Sequence, residues 1–450
     1  MPDALMQNLT PKYREVVVLA YPVVLSMLSH TLMTAVDIAL LGHFGTIEQG
    51  AVGLANAFLW LFIATCNCSG AGVNIFVAQY LGAQRYQACG SITWQGLYMS
   101  LVAWLPMLLG AAYADALVRL NAPSPELVSP AALYMRIRLL GGLPILLNFV
   151  LLSFFRGIGD TRTPLLVAFA AQCLNGLLDV LLIFGLAGFP RLGIAGSAIA
   201  TVSATGASTL LYLGLFWRRA QRQGLLSKRW LACDLKACRR LFNVSWPVGL
   251  QGAVELGAWA LFTTLVARLG STEMAAHAIA TQIMALSYMS GYGISIAAAT
   301  LVGQYIGAQQ IAQARQSMNA SLVIIVLYMG ALGLVFYLGR YPLGAFFTQA
   351  PEVVRLTAHL LVYVALFQVF DGISLVSTGV LRGAGDTRWP LYAGLLLNWA
   401  LFVPLASVVM FALQGGVEGG WAVALCYVIV LSLVMLARVL AGQWQKLQLI

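Results

Sequence analysis

The sequence predicts an all-α polytopic membrane protein, with twelve transmembrane helices in two parallel six-helix repeats that form two lobes. Three observations carry this. Of 450 residues, 60% are hydrophobic and only 9% charged, whereas a soluble domain carries about 25% charged residues. Apolar runs long enough to cross a ~30 Å hydrocarbon core as helices recur from end to end. Short motifs of the first half also return in the second at a nearly constant spacing.

The spans fall near 16–41, 52–78, 93–114, 132–153, 163–186 and 193–217, then 242–267, 277–303, 318–339, 356–380, 389–411 and 418–440. With the amino terminus inside, 18 of the 25 Lys and Arg residues lie on the cytoplasmic side. The positive-inside rule favours that orientation and puts both termini in the cytoplasm. The +10 net charge therefore follows topology and gives no sign of a nucleic-acid partner. The first apolar run is longer than a signal-peptide core and follows Glu15, so no cleaved leader is expected.

The longest polar stretch is the basic segment 218–240, with eight Lys and Arg residues. It reads as a solvated topology anchor and linker, or as a contact for anionic lipid. It divides the chain into an N-lobe, 1–217, and a C-lobe, 241–450. No other polar insertion is as long, which excludes a soluble catalytic module; the protein is not expected to be an enzyme. The seven cysteines (66, 68, 89, 173, 233, 238 and 426) are scattered without zinc-site spacing, and no cofactor is expected.

The two lobes are copies. Tyr21-Pro22 answers Trp246-Pro247, and the sequence from Ala78 to Gln84 answers that from Gly303 to Gln309, both at an offset of 225. Arg156-Gly-Ile-Gly-Asp160-Thr-Arg162 answers Arg382-Gly-Ala-Gly-Asp386-Thr-Arg388 at 226. Six spans per repeat keep both copies in one orientation, the parallel plan of many secondary transporters. The Gly-x-Gly-Asp turns superficially match intramembrane aspartyl proteases. Their setting between arginines fits glycine turns with helix capping and local ion pairs instead.

Four acids lie inside spans: Asp37, Asp179, Glu255 and Asp371. An ionised side chain at the bilayer centre costs ~2.5–3.5 kcal/mol on insertion scales, so each is a functional candidate. Asn175 and Asp179 are four apart and share a helix face, and Thr201 lies about two turns into the next span. Asp37, Asn175, Asp179 and Thr201 would offer oxygen ligands to a hard cation, with Asp37 and Asp179 as sodium ligands. They would equally offer a proton shared between two carboxylates. The plainer alternatives are separate interhelical hydrogen bonds, and an Asp37 near enough to the helix end to meet water. His30, two turns before Asp37, would suit a proton relay.

The stretch VDIALLGHFG, the two Gly-Asp-Thr-Arg turns and the Asn175/Asp179 span resemble the MATE family of multidrug and toxin extrusion transporters, over essentially the whole chain. Glu255 and Asp371 resemble its NorM-type branch. The resemblance implies a V-shaped pair of six-helix lobes and secondary active efflux of organic cations by alternating access, in exchange for sodium ions or protons. It carries Asp37, Asn175, Asp179 and Thr201 over as an N-lobe cation site, and Glu255 and Asp371 as C-lobe acids. The alternative is a lipid-linked oligosaccharide flippase of the same wider superfamily, which would show a cationic cavity.

At those offsets Phe262 stands opposite Asp37, His30 opposite Glu255 and Ile145 opposite Asp371. The scaffold is duplicated and the charges are not. Trp259 and Phe367 lie one turn from Glu255 and Asp371, a setting for a flat cation through cation–π attraction of ~0.5–2 kcal/mol, or else lipid-facing or plain core packing. Glu255, Trp259 and Asp371 are thus expected to bind drug in the C-lobe, with a second ion site there as the competitor. Expected partners are small cationic drugs and toxins and membrane lipid, for a monomer in a bacterial inner membrane. The topology predicts that a cysteine label at Ser227 is reached from the cytoplasm and one at Ser124 from outside. Labelling of Ser124 from the cytoplasm would overturn the span order.

Overall fold

The computed structural model describes residues 11–66, 68–119, 124–225, 232–447 and 449–450. Ser227 lies outside them. In lipid each backbone polar group must be satisfied within its own segment, so apolar runs fold as helices. The described residues contain no strand.

The first half holds α1 (Pro11–Phe44), α2 (Thr46–Cys66), α3 (Cys68–Gly82), α4 (Tyr86–Ala112), α5 (Ala114–Arg119), α6 (Pro125–Leu140), α7 (Gly142–Gly157), α8 (Arg162–Phe184) and α9 (Ile194–Arg222). The second holds α10 (Leu235–Ala267), α11 (Ser271–Gly307), α12 (Ile311–Leu338), α13 (Arg340–Phe347), α14 (Pro351–Ala384), α15 (Arg388–Ala412) and α16 (Gly416–Leu440). Among the described residues ten helices are long and apolar enough to cross a membrane. The pair α6 and α7, bent by 49°, makes an eleventh. The predicted span at 52–78 falls on α2 and α3, so each of the expected spans coincides with a helix or a helix pair.

The repeat persists in the backbone. Gln84 and Gln309 adopt the left-handed φ values of 57° and 59° at equivalent loop positions. Gly159 and Gly385 do so at 81° and 95°, in the two Gly-Asp-Thr-Arg turns. Asp160 accepts hydrogen bonds from Thr163 N (3.1 Å) and Oγ1 (2.8 Å), and pairs with Arg219 on α9. Asp386 accepts from Arg438 Nε and Nη2 on α16, at 3.0 and 2.9 Å. Each turn aspartate thus ties its helix hairpin to the last helix of its own half by an ion pair, and Asp160 alone also caps the helix that follows it.

The chain forms two compact units, but their limits cut through helices. One unit holds residues 1–24 and 251–450, the other 25–250. Pro22 interrupts α1 two residues before its crossing point, and Pro247 interrupts α10 three residues before its own. A helix-interior proline removes one backbone hydrogen bond, so both crossings fall where the helix is weakest.

In the unit of 25–250, the core is built from α2, α4 and α6 around Leu59, Met107, Met135 and Leu139. The first part of α10 packs there too: a Cβ at Gly72 would fall 2.8 Å from Leu241 Cδ1. The 49° bend between α6 and α7 falls at Gly141, where a Cβ would meet Val202 at 2.4 Å. Glycine permits that kink and that approach together.

In the other unit, the first part of α1 is anchored by Lys12, whose Nζ donates to Gln313 Oε1 at 2.8 Å, beside Glu15 and Tyr305. Here α11 and α14 pack backbone to backbone, the small-residue contact typical of membrane helices. A Cβ at Gly383 would lie 2.3 Å from the Ala299 carbonyl oxygen. The α15 span is interrupted by π turns at Leu397–Phe402 and Val408–Ala412.

Gly383→Ala is therefore expected to destabilise the protein by about 1–3 kcal/mol, the usual range for overpacking. Gly330→Ala, where the nearest atom lies 3.7 Å away, should leave stability unchanged. Thermal melting of the detergent-purified proteins checks the pair.

Candidate functional site

Each unit assembles its own carboxylate pair. In the unit of 25–250, Asp37 comes from α1 and Asp179 from α8. Asp179 is fully buried and Asn175, one turn before it, nearly so. The Asn175 amide Nδ2 donates to Asp179 Oδ2 at 2.8 Å. The Asp37 and Asp179 carboxyls lie within hydrogen-bonding reach of each other. One oxygen of each, Oδ1, is buried and receives no donor. Two such oxygens turned from water are a ready place for a proton or a small hard cation.

Of the four predicted N-lobe residues, Asp37, Asn175 and Asp179 therefore meet directly. The Thr201 hydroxyl donates to the Ser197 carbonyl at 2.9 Å on its own helix, which leaves its oxygen lone pairs free. Ser197, one turn earlier and 1% exposed, stands beside Asp179 instead. Arg138 of α6 was missed outright. Its charge acts on both carboxyls and on His30, and its guanidinium lies 5.8 Å from the Tyr134 ring. The signal was available: a basic residue inside the predicted span 132–153 is as anomalous as an acid.

In the other unit Glu255 and Asp371 line one cavity of about 40 Å³. Each wall helix turns one face to it. From α10 come Gln251 and Glu255, four apart; from α11 Tyr288, Tyr292 and Ser295; from α14 Asp371, Ser374, Thr378 and Arg382. Tyr427 of α16 and Asn398 of α15 complete the polar lining. Asn398 sits in the first π turn and donates Nδ2 to the Gly394 carbonyl at 2.8 Å. Single π turns inside helices often mark functional sites.

Size decides what this cavity holds. A water needs ~10–15 Å³ on the same measure, so there is room for an ion with a water or two. A drug-sized ligand needs ~300–1,000 Å³. Trp259 is not in the lining. It packs on Phe262, Phe402 and Trp421, with ring centroids 5.9, 5.5 and 6.2 Å away. Phe367, 1% exposed, stacks on Trp421. Both aromatics thus serve a dry cluster, the plainer of the two sequence readings. Phe262, the repeat counterpart of Asp37, is wholly buried at its centre against His277, which is hydrogen-bonded to Thr263 Oγ1 at 3.0 Å.

Among the described residues no three His, Cys, Asp or Glu side chains gather as a metal-holding group. Both sites are carboxylate pairs with neutral oxygens around them and one arginine acting on them.

The MatE family model matches residues 22–181 and 247–408, one stretch in each half. The chain belongs to the MatE family. It is a membrane transporter, not an enzyme. It is 27% identical over 98% of its length to a probable multidrug resistance protein NorM of Thermotoga maritima, covering 97% of that protein. A probable NorM of Bradyrhizobium diazoefficiens is 30% identical, with 97% of this chain and 96% of the relative covered. Among solved structures, a MOP superfamily transporter from Pyrococcus furiosus superposes with a TM-score of 0.88 at 20% identity, with 97% of each chain covered. The description of that structure infers a different function from reversed polarity of its binding pocket. The fold is thus shared across functions, and the charge of the site has to decide between them.

Trp259→Ala should act mainly as a core truncation, lowering stability by about 3 kcal/mol. Thermal melting should show that loss, while Glu255→Gln, in the cavity wall, should melt close to the unmodified protein.

Proposed function

We propose that this MatE-family transporter is a secondary active multidrug efflux antiporter, exporting organic cations in exchange for sodium ions or protons. The observation that carries the reading is the carboxylate pair in each unit, none of the four acids ion-paired among the described residues. An unneutralised acid in the membrane interior is costly, and a site that asks for a cation meets that cost only when one is bound. A coupling ion that binds one conformation better than another can then drive alternating access. A ligand with equal affinity for both would shift nothing. The NorM names of the relatives support the multidrug reading.

The same charges argue against the flippase alternative. A lipid-linked pyrophosphate would meet acids in both units, where it needs a basic surface. We place the ion at both pairs: at Asp37 and Asp179 with Asn175 and Ser197, and at Glu255 and Asp371. The second placement follows from the cavity's size, which admits an ion and excludes a planar drug. Of the two coupling ions we favour sodium, because Asn175 and Ser197 add neutral oxygens for which a proton has no use. We also place the protein in the bacterial inner membrane with both termini in the cytoplasm.

Asp37→Asn and Asp179→Asn should each abolish ion-driven efflux of a fluorescent planar cation from vesicles and leave folding intact, since an amide keeps the size and removes the charge. Full efflux by Asp37→Asn would overturn the first site. A sodium gradient should suffice to drive transport. Efflux driven by a pH gradient in sodium-free vesicles would overturn the choice of sodium.

A further inference from the structure

Arg382 belongs to the Gly-Asp-Thr-Arg turn by sequence, yet its side chain lines the same cavity as Glu255 and Asp371. The spacing of Asp371, Ser374, Thr378 and Arg382 explains this, since steps of three, four and four keep all of them on one face of α14. Its guanidinium donates Nη2 to Gln251 Oε1 at 2.9 Å, and its Nε is buried without an acceptor. The neighbouring acid of the turn, Asp386, is already taken by Arg438. So among the described residues no carboxylate lies within ion-pair distance of Arg382, and its charge acts on Glu255 across the cavity. Gln251 holds it at one end of the polar lining. Aside from tyrosines, these three are the only ionisable residues in the cavity wall among the described residues.

Two carboxylates and one guanidinium sum to minus one. We propose that Arg382 is a built-in counter-charge that fixes the charge of this cavity at minus one and so limits it to one monovalent cation at a time. The inference rests on the reading of Glu255 and Asp371 as an ion site. A site with two bare carboxylates would take two sodium ions, two protons or one divalent ion. With one of them neutralised from within, it takes a single sodium ion or a single proton. The other unit reaches the same sum with different residues, because Arg138 acts on Asp37 and Asp179. The two arginines are not repeat partners. Arg382 corresponds to Arg156, and Arg138 to Tyr363 or Val364. Each unit therefore arrives at minus one from a different position, as a constraint on charge count would produce.

The test uses purified full-length protein carrying Asp37→Asn, which removes the other pair. Bound ²²Na⁺ and protons taken up are counted together per chain at pH 7. The unmodified cavity should hold one equivalent, and Glu255→Gln with Asp371→Asn should hold none. Arg382→Gln should hold two and bind Ca²⁺, while Arg382→Lys should return to one. A single equivalent in Arg382→Gln overturns the counter-charge. An undiminished count in the double acid variant overturns the ion site itself, so the two failures are distinguishable. If Arg382→Gln is not monodisperse, Arg382→Gln with Glu255→Gln restores the sum of minus one and is read instead. One equivalent there supports the proposal, and none or two overturns it.

Discussion

A charge inside hydrocarbon has to be neutralised, and the parts of this protein that do chemistry are arranged around that cost. Four acids sit within membrane-spanning helices, and no lysine or arginine lies within ion-pair distance of them among the described residues. Each unit meets the problem with two carboxyls facing each other or a shared cavity, neutral oxygens nearby, and one arginine acting from a distance. An acid locked in a direct ion pair would be inert to passing cations. One with no basic neighbour would be too costly to keep. The intermediate arrangement leaves the site responsive.

The fold was legible because its signals are long and repeated. Apolar runs set the helices, and the equivalent turns at Asp160 and Asp386 proved equivalent in φ and in ion pairing as well. The pairing of Asp37 with Asp179 could be read because isolated acids in apolar runs are conspicuous. What escaped were groups whose meaning depends on which helices become neighbours. Arg382 looks like part of a turn until α14 is seen to carry a single polar face from Asp371 down to it. Thr201 and Ser197 share a helix face, one turn apart, and the sequence cannot say which of them meets Asp179. Trp259 and Phe367 lie one turn from acids in sequence, but helix packing sends their rings into the aromatic cluster instead.

Duplication without charge symmetry also has a physical reading. Where one unit carries Asp37, the other carries Phe262 inside a cluster sealed by Trp421 and Phe402. The second unit moves its acids to positions held in the first by His30 and Ile145. A duplicated scaffold preserves turns and close helix contacts, which are set by backbone. Its polar positions are free to diverge, provided that each unit neutralises what it buries.

The crossing of α1 and α10 between units bears on biogenesis. Residues 25–250 leave the ribosome as one stretch, and every segment of that unit is present once Leu250 has been made. The other unit needs both ends of the chain. Its segment 11–24 is made before residues 25–250, while its partners on α11 and α12 follow much later: Lys12 and Gln313 are 301 residues apart. At ~5–20 residues per second that is a wait of roughly 15–60 s. During it Lys12 lacks Gln313 and Tyr305, and the apolar face of α1 lacks α11. The segment 11–24 is thus a latch that closes only when α11 and α12 are in place, so a chain truncated before them leaves that latch open.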